Sequence, residues 1–311
     1  MKCFLEENKR ISFCKTKEIY KYKKNYKVNQ KIDFSYKKKI FSCLDCGISY
    51  CDNLKKDEIK KFYEVVYNSN FENENIKNLV KNKFLRFNSR FLSQVLYYFQ
   101  FCKLFSGIKV LEIGSGPQGI LPTLKFFQDK INYFYFDQIN SGIIHKYGGI
   151  NIGNFFDPFN YQKKEKFDLI WMSHVMEHIT PEELTSTFKK LHETLFPGGK
   201  IFIEIPNDIK TRSFGIPHTL FFTEKFLLRY FLNLNFKIIS INSINNYNEK
   251  KPQNNLQKKN NKKSIMKIFL NIYLIIQKIV PIYFIERFSL KHFIKNKPYT
   301  DFPIIRIIIS K

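Results

Sequence analysis

Two histidines with an acid between them are the first residues whose spacing points to chemistry. The pattern H-x-x-E-H is formed by His174, Glu177 and His178. Zinc proteases use this pattern on one helix, where both imidazoles bind the metal and the carboxylate activates water. Here Thr180, Pro181 and Glu183 predict a new helix with an N-cap, a proline in the first turn and a capping box. The pair therefore has at most one short turn, and we expect no protease-type zinc site.

The elements that position these residues begin at residue 108, where short apolar runs alternate with helical stretches. The runs are IKVLEI (108–113), INYFYFD (131–137), FDLIWMS (167–173), KIFIEIP (200–206), FKIISI (236–241) and FPIIRIII (302–309). A helical stretch, PEELTSTFKKLHETLF, separates the third run from the fourth. Strands that alternate with helices predict an α/β fold with a parallel sheet and crossover helices.

The first two runs end in residues that suit a nucleotide-like ligand. The residues after the first run include Glu112, Gly114, Gly116 and Gly119. Ligands of open α/β sheets bind beyond the carboxyl ends of the strands, and glycines there let the backbone approach a ligand. The second run ends in Asp137, which is placed to accept hydrogen bonds from both hydroxyls of a ribose.

The same glycines fit a second class of protein. Their spacing, G-x-G-x-x-G, is that of the dinucleotide fingerprint, so an NAD-dependent oxidoreductase is an alternative interpretation. Nothing after FDLIWMS resembles a hydride-transfer site, which weighs against this alternative.

Five segments in order carry a family resemblance: KVLEIGSGPQG, Asp137 after NYFYF, FDLIWMSHVMEHI, LHETLFPGGKIFIEIPN and HTLFFTEKFL. Together they resemble the S-adenosylmethionine-dependent methyltransferases of the Rossmann-like class, and most closely the subgroup that acts on small molecules such as sugars, quinones and lipid headgroups. The resemblance covers roughly residues 85–242 and 302–311. It implies a Rossmann-like, seven-stranded, mostly parallel sheet with flanking helices, and S-adenosylmethionine as cofactor.

The resemblance assigns the cofactor to a set of residues, which are Glu112, Gly114, Ser115, Gly116, Asp137, Asn154, Phe155 and Ser173. The acid and glycines of the first turn would line the methionine and ribose side, and Asp137 would hold the ribose hydroxyls. Asn154 and Phe155 fall where the family contacts adenine, and Ser173 lies beside the sulfonium end. Gln118 replaces the third glycine of the usual E-x-G-x-G-x-G.

The histidines are the candidates for catalysis. Methyl transfer from a sulfonium is a direct displacement, and in-line positioning contributes on the order of 7–11 kcal/mol. A hydroxyl acceptor also needs a general base, and an imidazole of near-neutral pKa suits that task. The predicted bases are His174, His178 and His218, with Glu177 as a structural partner. Many DNA and protein amino-methyltransferases carry N-P-P-[YF] after this strand, and the motif is absent after FDLIWMS. Its absence favours an oxygen acceptor. The predicted acceptor is a hydroxyl of a sugar or lipid-linked small molecule.

The N-terminal cysteines predict a small module of their own. FSCLDCGISY contains C-x-x-C-G, one half of a zinc ribbon, at Cys43 and Cys46. Methyltransferases of this subgroup often begin with such a ribbon, but only Cys14 remains here of the other half. Cys3 or Cys51 would have to supply the fourth ligand. A structural zinc and a decayed ribbon that folds without metal both stay open.

A polar stretch and then an apolar stretch separate the last two strands. NNYNEKKPQNNLQKKNNKK predicts a flexible loop, and residues 264–285 place apolar side chains on one helical face. Lysines, Asn271 and Gln277 within or beside that face argue against a transmembrane span. A lid over the acceptor pocket is favoured, and a peripheral contact with an anionic membrane is the alternative.

Net charge and cysteine content bear on the possible partners of the protein and on its cellular compartment. The 311 residues carry a formal net charge of +25, but the lysines are spread over most of the chain, so we expect a solvated surface and no nucleic-acid partner. RNA methylation would rest on charge alone. The N-terminus shows no secretory signal, which predicts a cytoplasmic protein with reduced cysteines and with membrane contact only through 264–285.

The predicted organisation has two parts. Residues 1–53 form the Cys-containing module, and residues 54–311 form the methyltransferase domain. The latter comprises N-terminal helices (54–106), the cofactor-binding core (107–242), a loop and helical insert (243–301) and the last strand (302–311). The predicted function is S-adenosylmethionine-dependent methyl transfer to a small molecule. A non-catalytic cofactor-binding scaffold is the alternative beside the oxidoreductase.

Overall fold

The structure, a computed structural model, describes residues 16–28, 31–51, 58, 62, 89–137, 142–154, 165–211, 214, 217–244 and 303–311. All of them belong to one compact unit formed by residues 1–245 and 302–311. No helix within the described ranges is long and apolar enough to cross a membrane. The predicted helical segment 264–285 lies outside the described residues.

A seven-stranded sheet forms the centre of this unit. Its strands, in order across the sheet, are β10 (Lys237–Ile244), β11 (Ile304–Ser310), β8 (Leu195–Pro206), β7 (Phe167–Ser173), β4 (Ile108–Ile113), β5 (Ile131–Phe136) and β6 (Ile150–Gly153). Neighbouring strands are parallel from β6 to β8, and β11 runs antiparallel to both of its neighbours. The predicted Rossmann-like, mostly parallel sheet is therefore confirmed.

The central strands are buried on both faces because helices cover both. The described helices are α1 (Ser89–Phe99), α2 (Leu121–Phe127), α3 (Gly142–Lys146), α4 (Pro181–Thr194), α5 (Asp208–Thr211) and α6 (Glu224–Asn233). Along β7, Leu169 and Trp171 pack in one hydrophobic cluster with α1, α2 and α3. Ile170 and Met172 pack in another with α4 and α6. This two-sided burial explains the continuous apolar runs that predicted the strands.

The predicted limits differ from the observed ones mainly between α4 and β8. The helix predicted over 181–196 ends at Thr194, and β8 begins at Leu195 instead of residue 200. The hydroxyl of Thr180 donates to the Glu183 carboxylate at 3.0 Å and caps no backbone amide, so this half of the predicted capping box is not formed. The four-residue β6, with the sequence INIG, was not predicted because it contains no continuous apolar run.

A second, four-stranded antiparallel sheet carries the N-terminal residues. Its strands, in order, are β1 (Thr16–Val28), β2 (Lys31–Cys43), β3 (Ser49–Cys51) and β9 (Leu220–Phe221). Tyr50 pairs with Leu220, and the amide of Cys51 donates to the carbonyl of Thr219 at 2.9 Å. The Cys-containing segment is thus hydrogen-bonded to the chain that follows His218.

Candidate active site

The order of strands changes direction at β4. The chain places β5 and β6 on one side of β4 and then returns to place β7 and β8 on the other side. Ligands of open α/β sheets bind in the crevice beyond the strand ends at such a switch point. The turns after β4 and β7 meet there, since a Cβ on Gly114 would lie 2.5 Å from Cγ2 of Val175.

The turn after β4 requires glycine for two different reasons. Gly114 and Gly116 have φ values of 71° and 62°, in the left-handed region that L side chains rarely adopt. A Cβ on Gly114 would collide with Val175, whereas a Cβ on Gly116 would have no atom of the described residues within 4 Å apart from those of its neighbours in the chain. Gly114 therefore lets the two turns pack together, and Gly116 leaves the backbone open.

Glu112 lies inside this turn and shapes it. Its buried carboxylate accepts hydrogen bonds from the Ile120 amide (3.0 Å) and the Tyr133 hydroxyl. A Cβ on Gly119 would lie 2.8 Å from Oε2 of Glu112, so this glycine permits the close approach. Burial raises the pKa of Glu112 to about 8, although the hydrogen bond from Ile120 opposes the rise. The acid predicted to line the cofactor thus holds the turn from its buried side.

Asp137 follows β5 and joins it to the glycine turn. Its Oδ2 accepts a hydrogen bond from the Gly116 amide at 2.6 Å, and the residue is partly exposed. Ser115, by contrast, is buried, and its hydroxyl donates to the Gly116 carbonyl at 3.3 Å. Asn154 is exposed just beyond β6, and Phe155 lies outside the described residues. We call the Gly114–Gly119 turn together with Asp137 the cofactor side.

His174, the first residue after β7, has an unusual backbone conformation, and each of its imidazole nitrogens lies near a carboxylate. Its φ of 56° is uncommon for a residue other than glycine, and its amide donates to the Glu204 carbonyl at 2.8 Å. Nδ1 lies 3.4 Å from the Glu177 carboxylate and Nε2 lies 3.5 Å from the Glu204 carboxylate. A single 3-10 turn, Met176–His178, follows. The prediction of one short turn for H-x-x-E-H is therefore confirmed.

Glu204 is the centre of a buried ionic network. Its carboxylate accepts hydrogen bonds from Arg90 Nε (3.0 Å), Gln94 Nε2 (2.6 Å) and Arg306 Nε (2.7 Å). Arg90 and Gln94 also donate to the Ser173 hydroxyl at 2.6 and 2.7 Å. Burial opposes ionisation of Glu204, but the contact with a histidine and the two guanidinium groups outweigh it, and its pKa lies well below the usual range. Ser173 is thus held by α1 at the end of β7.

A cluster of possible metal ligands lies one turn beyond β7. Glu177, His178 and His218 each offer one ligand atom, and these atoms lie within 4.8 Å of one another. We call these three residues the histidine cluster. The two rings make an edge-on contact with centroids 4.9 Å apart, and Nδ1 of His218 lies 2.6 Å from Oδ2 of Asp208. The Glu177 side chain is 1% exposed, while those of His178 and His218 are 17% and 22% exposed.

Backbone contacts bring His218 to this cluster. The amide of Thr219 donates to the Glu177 carbonyl at 2.8 Å, and its hydroxyl donates to the Ile179 carbonyl at 2.6 Å. Beyond Thr219, β9 pairs with β3, which fixes the same segment from the other side. The sequence predicted His178 and His218 as separate candidates, and the tertiary structure places them side by side.

Electrostatics distinguish the histidines. Burial lowers the pKa of His178 to about 4, although Glu177 opposes the shift. Burial also acts against protonation of His174 and His218, but their carboxylate partners outweigh it and raise the pKa of both. Burial opposes ionisation of Glu177, but the contact with His174 and the nearby histidine charges lower its pKa to about 2. At neutral pH the cluster therefore contains an ionised acid and a neutral His178.

Cys43 and Cys46 form a tight turn within the hydrophobic core. The Cys46 amide donates to Sγ of Cys43 at 3.4 Å, and Gly47 follows with a φ of 78°. Both cysteines are 2% exposed and pack in the same cluster as α4 and α6. Cys14 lies outside the described residues, and within the described ranges the histidine cluster is the one group with three possible metal ligands. Zinc binding by the cysteines stays a prediction.

Several residues of the site were not predicted from the sequence; they are Arg90, Gln94, Glu204, Asp208 and Arg306. For two of them a signal existed. Glu204 and Arg306 are single charges inside apolar strands, and a buried charge requires a partner. They are direct partners in the pairing of β8 with β11. Arg90 and Gln94 lie on an amphipathic helix where nothing in the sequence distinguishes them.

Comparison with known proteins places the chain in a family. The family model described as Methyltransferase domain matches residues 84–241, about half of the chain. No curated protein matches the sequence. Among solved structures, the N-methyltransferase NodS from Bradyrhizobium japonicum WM9, in complex with S-adenosyl-L-homocysteine, is 13% identical, with a TM-score of 0.44 over 77% of this chain and 93% of that one.

A second solved structure has similar values. The 1,6-didemethyltoxoflavin-N1-methyltransferase from Burkholderia thailandensis is 11% identical, with a TM-score of 0.44 over 86% of this chain and 97% of that one. Family membership rests on the match over residues 84–241, which sets aside the oxidoreductase interpretation of the glycines. The chain therefore belongs to the Methyltransferase domain family and is an S-adenosylmethionine-dependent methyltransferase.

Proposed function

We propose that this methyltransferase transfers the methyl group of S-adenosylmethionine to a hydroxyl of a small molecule, a sugar or a lipid-linked intermediate. The observation that carries the proposal is the meeting of two unlike sites at one switch point. The cofactor side offers an open backbone and an acid. The histidine cluster, after the neighbouring strand, offers nitrogen and carboxylate groups that can receive a hydroxyl.

The residues of the cofactor side fit S-adenosylmethionine. A Cβ on Gly116 would meet no described atom within 4 Å, so a ligand can approach this backbone. Asp137, at 2.6 Å from the Gly116 amide, supplies the acid that ribose hydroxyls require. Asn154, which the resemblance assigns to adenine, is exposed just beyond the next strand. When bound, the cofactor supplies an electrophilic methyl group on a sulfonium. The chain contributes the positioning, on the order of 7–11 kcal/mol.

In this proposal His174 positions other groups and does not act as the base. Each of its nitrogens faces a carboxylate, at 3.4 and 3.5 Å, so neither is directed at an acceptor. It ties the end of β7 to Glu204 and holds Glu177 in place. The acceptor hydroxyl is received by the partly exposed His178 and His218.

The cofactor assignment is tested by calorimetric titration of the full-length protein with S-adenosylmethionine, S-adenosylhomocysteine and NAD. We expect micromolar binding of the two sulfur compounds, no binding of NAD, and at least about tenfold weaker binding by Asp137→Ala, since a charged hydrogen-bond acceptor is lost. Asp129→Ala, which removes an exposed acid before β5, is the matched control and should bind normally. Binding of NAD alone would overturn the proposal, and so would a folded protein that binds none of the three compounds.

The acceptor class is tested separately, with isotopically labelled S-adenosylmethionine and paired acceptors that differ only in a hydroxyl or an amine. We expect label in the hydroxyl compounds. Transfer confined to the amines would contradict the oxygen acceptor while leaving the methyltransferase assignment intact.

A further inference from the structure

We propose that the histidine cluster binds a divalent transition-metal cation. Its ligand atoms, one carboxylate oxygen and two imidazole nitrogens, lie within 4.8 Å of one another in the absence of any ion. Imidazole suits zinc, iron, copper and nickel, and one carboxylate with two histidines is a donor set of divalent transition metals rather than of magnesium or calcium, which prefer oxygen.

The buried acid gives the first independent support. Glu177 is 1% exposed, and neither of its oxygens accepts a hydrogen bond from a described residue. The nitrogens in ion-pair range are Nδ1 of His174 at 3.4 Å and Nε2 of His178 at 3.8 Å. A buried carboxylate held only by these two long contacts, without an aligned hydrogen bond, is costly, and a cation would supply a closer partner.

The orientation of His218 gives the second independent support for a cation site. Its Nδ1 lies 2.6 Å from Oδ2 of Asp208, a residue that is itself 6% exposed. Imidazoles that bind metals usually donate their other N–H group to a carboxylate or a carbonyl, which fixes the ring. Asp208 therefore leaves Nε2 of His218 as the nitrogen available to an ion.

The spacing allows closure around an ion. Zinc binds nitrogen and oxygen at about 2.0–2.2 Å, so ligand atoms of a tetrahedral site lie roughly 3.3–3.5 Å apart. The Glu177–His178 pair, at 3.8 Å, is already close to this separation. The widest pair, at no more than 4.8 Å, must close by at most about 1.5 Å, which rotation of side chains can provide.

This site is not the protease site that H-x-x-E-H first suggested. It uses the acid and the second histidine of that pattern, and His218 replaces His174 as the other imidazole. Three ligands from the described residues leave coordination positions open, as in catalytic rather than structural sites. The role of the ion rests on the proposed function. Held by Glu177, His178 and His218, the ion would receive the acceptor hydroxyl in place of the two imidazoles and lower the pKa of that hydroxyl, so that its proton leaves to water.

The site is tested by calorimetric titration of chelator-treated, full-length protein with Zn²⁺, Mn²⁺ and Mg²⁺. We expect binding in the order zinc above manganese, with no binding of magnesium. Glu177→Gln and His218→Asn should each weaken zinc binding at least about tenfold, as should Asp208→Asn through loss of the orienting carboxylate. His192→Asn, far along α4, is the matched control and should bind as the wild type does.

The cysteines require their own control. The double variant Cys43→Ser, Cys46→Ser should retain the zinc that Glu177→Gln loses. The absorption spectrum of the cobalt-loaded wild type identifies the ligands even where a variant fails to fold. Nitrogen and oxygen ligands give only weak visible bands, whereas thiolates add intense near-ultraviolet bands. A zinc site lost only in the cysteine variant, or a spectrum showing thiolate ligation alone, would overturn the proposal.

Failure of this inference can be told apart from failure of the proposed function. Titration of metal-free protein with S-adenosylmethionine measures the cofactor side by itself. Cofactor binding without zinc or manganese binding rejects the cation site and leaves the methyl transfer proposal standing. Metal binding without cofactor binding does the reverse.

Discussion

The two sides of the crevice differ in how many residues of the chain separate their hydrogen-bond partners. On the cofactor side, Asp137 bonds to an amide 21 residues away, and Glu112 bonds to one 8 residues away. We call the histidine cluster together with the ionic network of Glu204 the acceptor side. Here Arg306 bonds to Glu204 across 102 residues, and an arginine of α1 bonds to Ser173 across 83. The hydrogen bonds of the cofactor side therefore lie within a single βαβ unit, whereas those of the acceptor side span the whole domain.

This difference predicts how each side responds to substitution. A change on the cofactor side should act through local backbone strain and close approach. A change on the acceptor side should act through buried charge left without its partner, even when the altered residue is distant in the sequence.

The largest effect is expected from Glu204→Gln. This change leaves Arg306, whose side chain is 2% exposed, without its carboxylate, and breaking a buried ion pair costs about 3–5 kcal/mol. The free energy of unfolding in urea measures the loss. Glu193→Gln, which removes an exposed partner of Lys190, should cost less than about 1 kcal/mol. Equal losses of unfolding free energy in the two variants would contradict the claim that the buried network contributes more to stability than an exposed ion pair.

Gly114→Ala and Gly116→Ala separate packing from access on the cofactor side. Both introduce strain of about 1–2 kcal/mol because of their positive φ. Gly114→Ala adds a collision with Val175, which brings its total to about 2–4 kcal/mol. Thermal unfolding should therefore rank Gly114→Ala as the less stable variant. Gly116→Ala should still weaken S-adenosylmethionine binding, and unchanged binding would show that its open backbone does not face the cofactor.

Glu112 predicts a pH dependence of stability. Its folded-state pKa of about 8 lies above the ordinary value of 4.5, so the folded protein holds a proton that the unfolded chain has released between those values. Stability should therefore fall as pH rises, by about 1.4 kcal/mol per pH unit in this window. Urea unfolding measures the free energy of unfolding at pH 5.5 and 7.5. Between these two values it should fall by about 2–3 kcal/mol more in the wild type than in Glu112→Gln. Parallel curves would contradict the raised pKa.

The smallest effect is expected from Thr219→Val on the acceptor side. The change removes the hydrogen bond to the Ile179 carbonyl, 2.6 Å, and should cost about 1 kcal/mol. Thr185→Val, whose hydroxyl has only a 3.5 Å contact with Tyr230, is the control and should cost less. A loss of several kcal/mol in Thr219→Val would show that the segment carrying His218 depends on this one residue.

The cofactor side was the part of the site most accessible to sequence analysis. Strand ends and spacing predict Gly114, Gly116 and Asp137, and the structure joins Gly116 to Asp137 by a hydrogen bond. The acceptor side was only partly accessible. His178 and His218 were candidates, but Asp208, Arg90 and Gln94 were not, because a polar residue on a helix or in a loop gives no local sign of its partner.

His174 shows the limit of reasoning from residue type. As a histidine at the end of a strand it is a predicted base. The structure shows a carboxylate within 3.5 Å of each ring nitrogen, and this is why the proposed function gives it a positioning role. Its role depends on Glu204, which lies in the next strand of the sheet. No spacing rule within FDLIWMSHVMEH contains that information.

The alternation of strands and helices, the glycine turn and the acid that follows β5 can be read from the residues alone, because apolar periodicity and backbone conformation are local properties of the chain. The folded domain was needed to show that Glu177, His178 and His218 share one cluster, that Glu204 joins α1 to β11, and that β9 extends the N-terminal sheet. These depend on side chains that meet across long stretches of chain, and such meetings are fixed by packing of the whole domain rather than by neighbours in sequence.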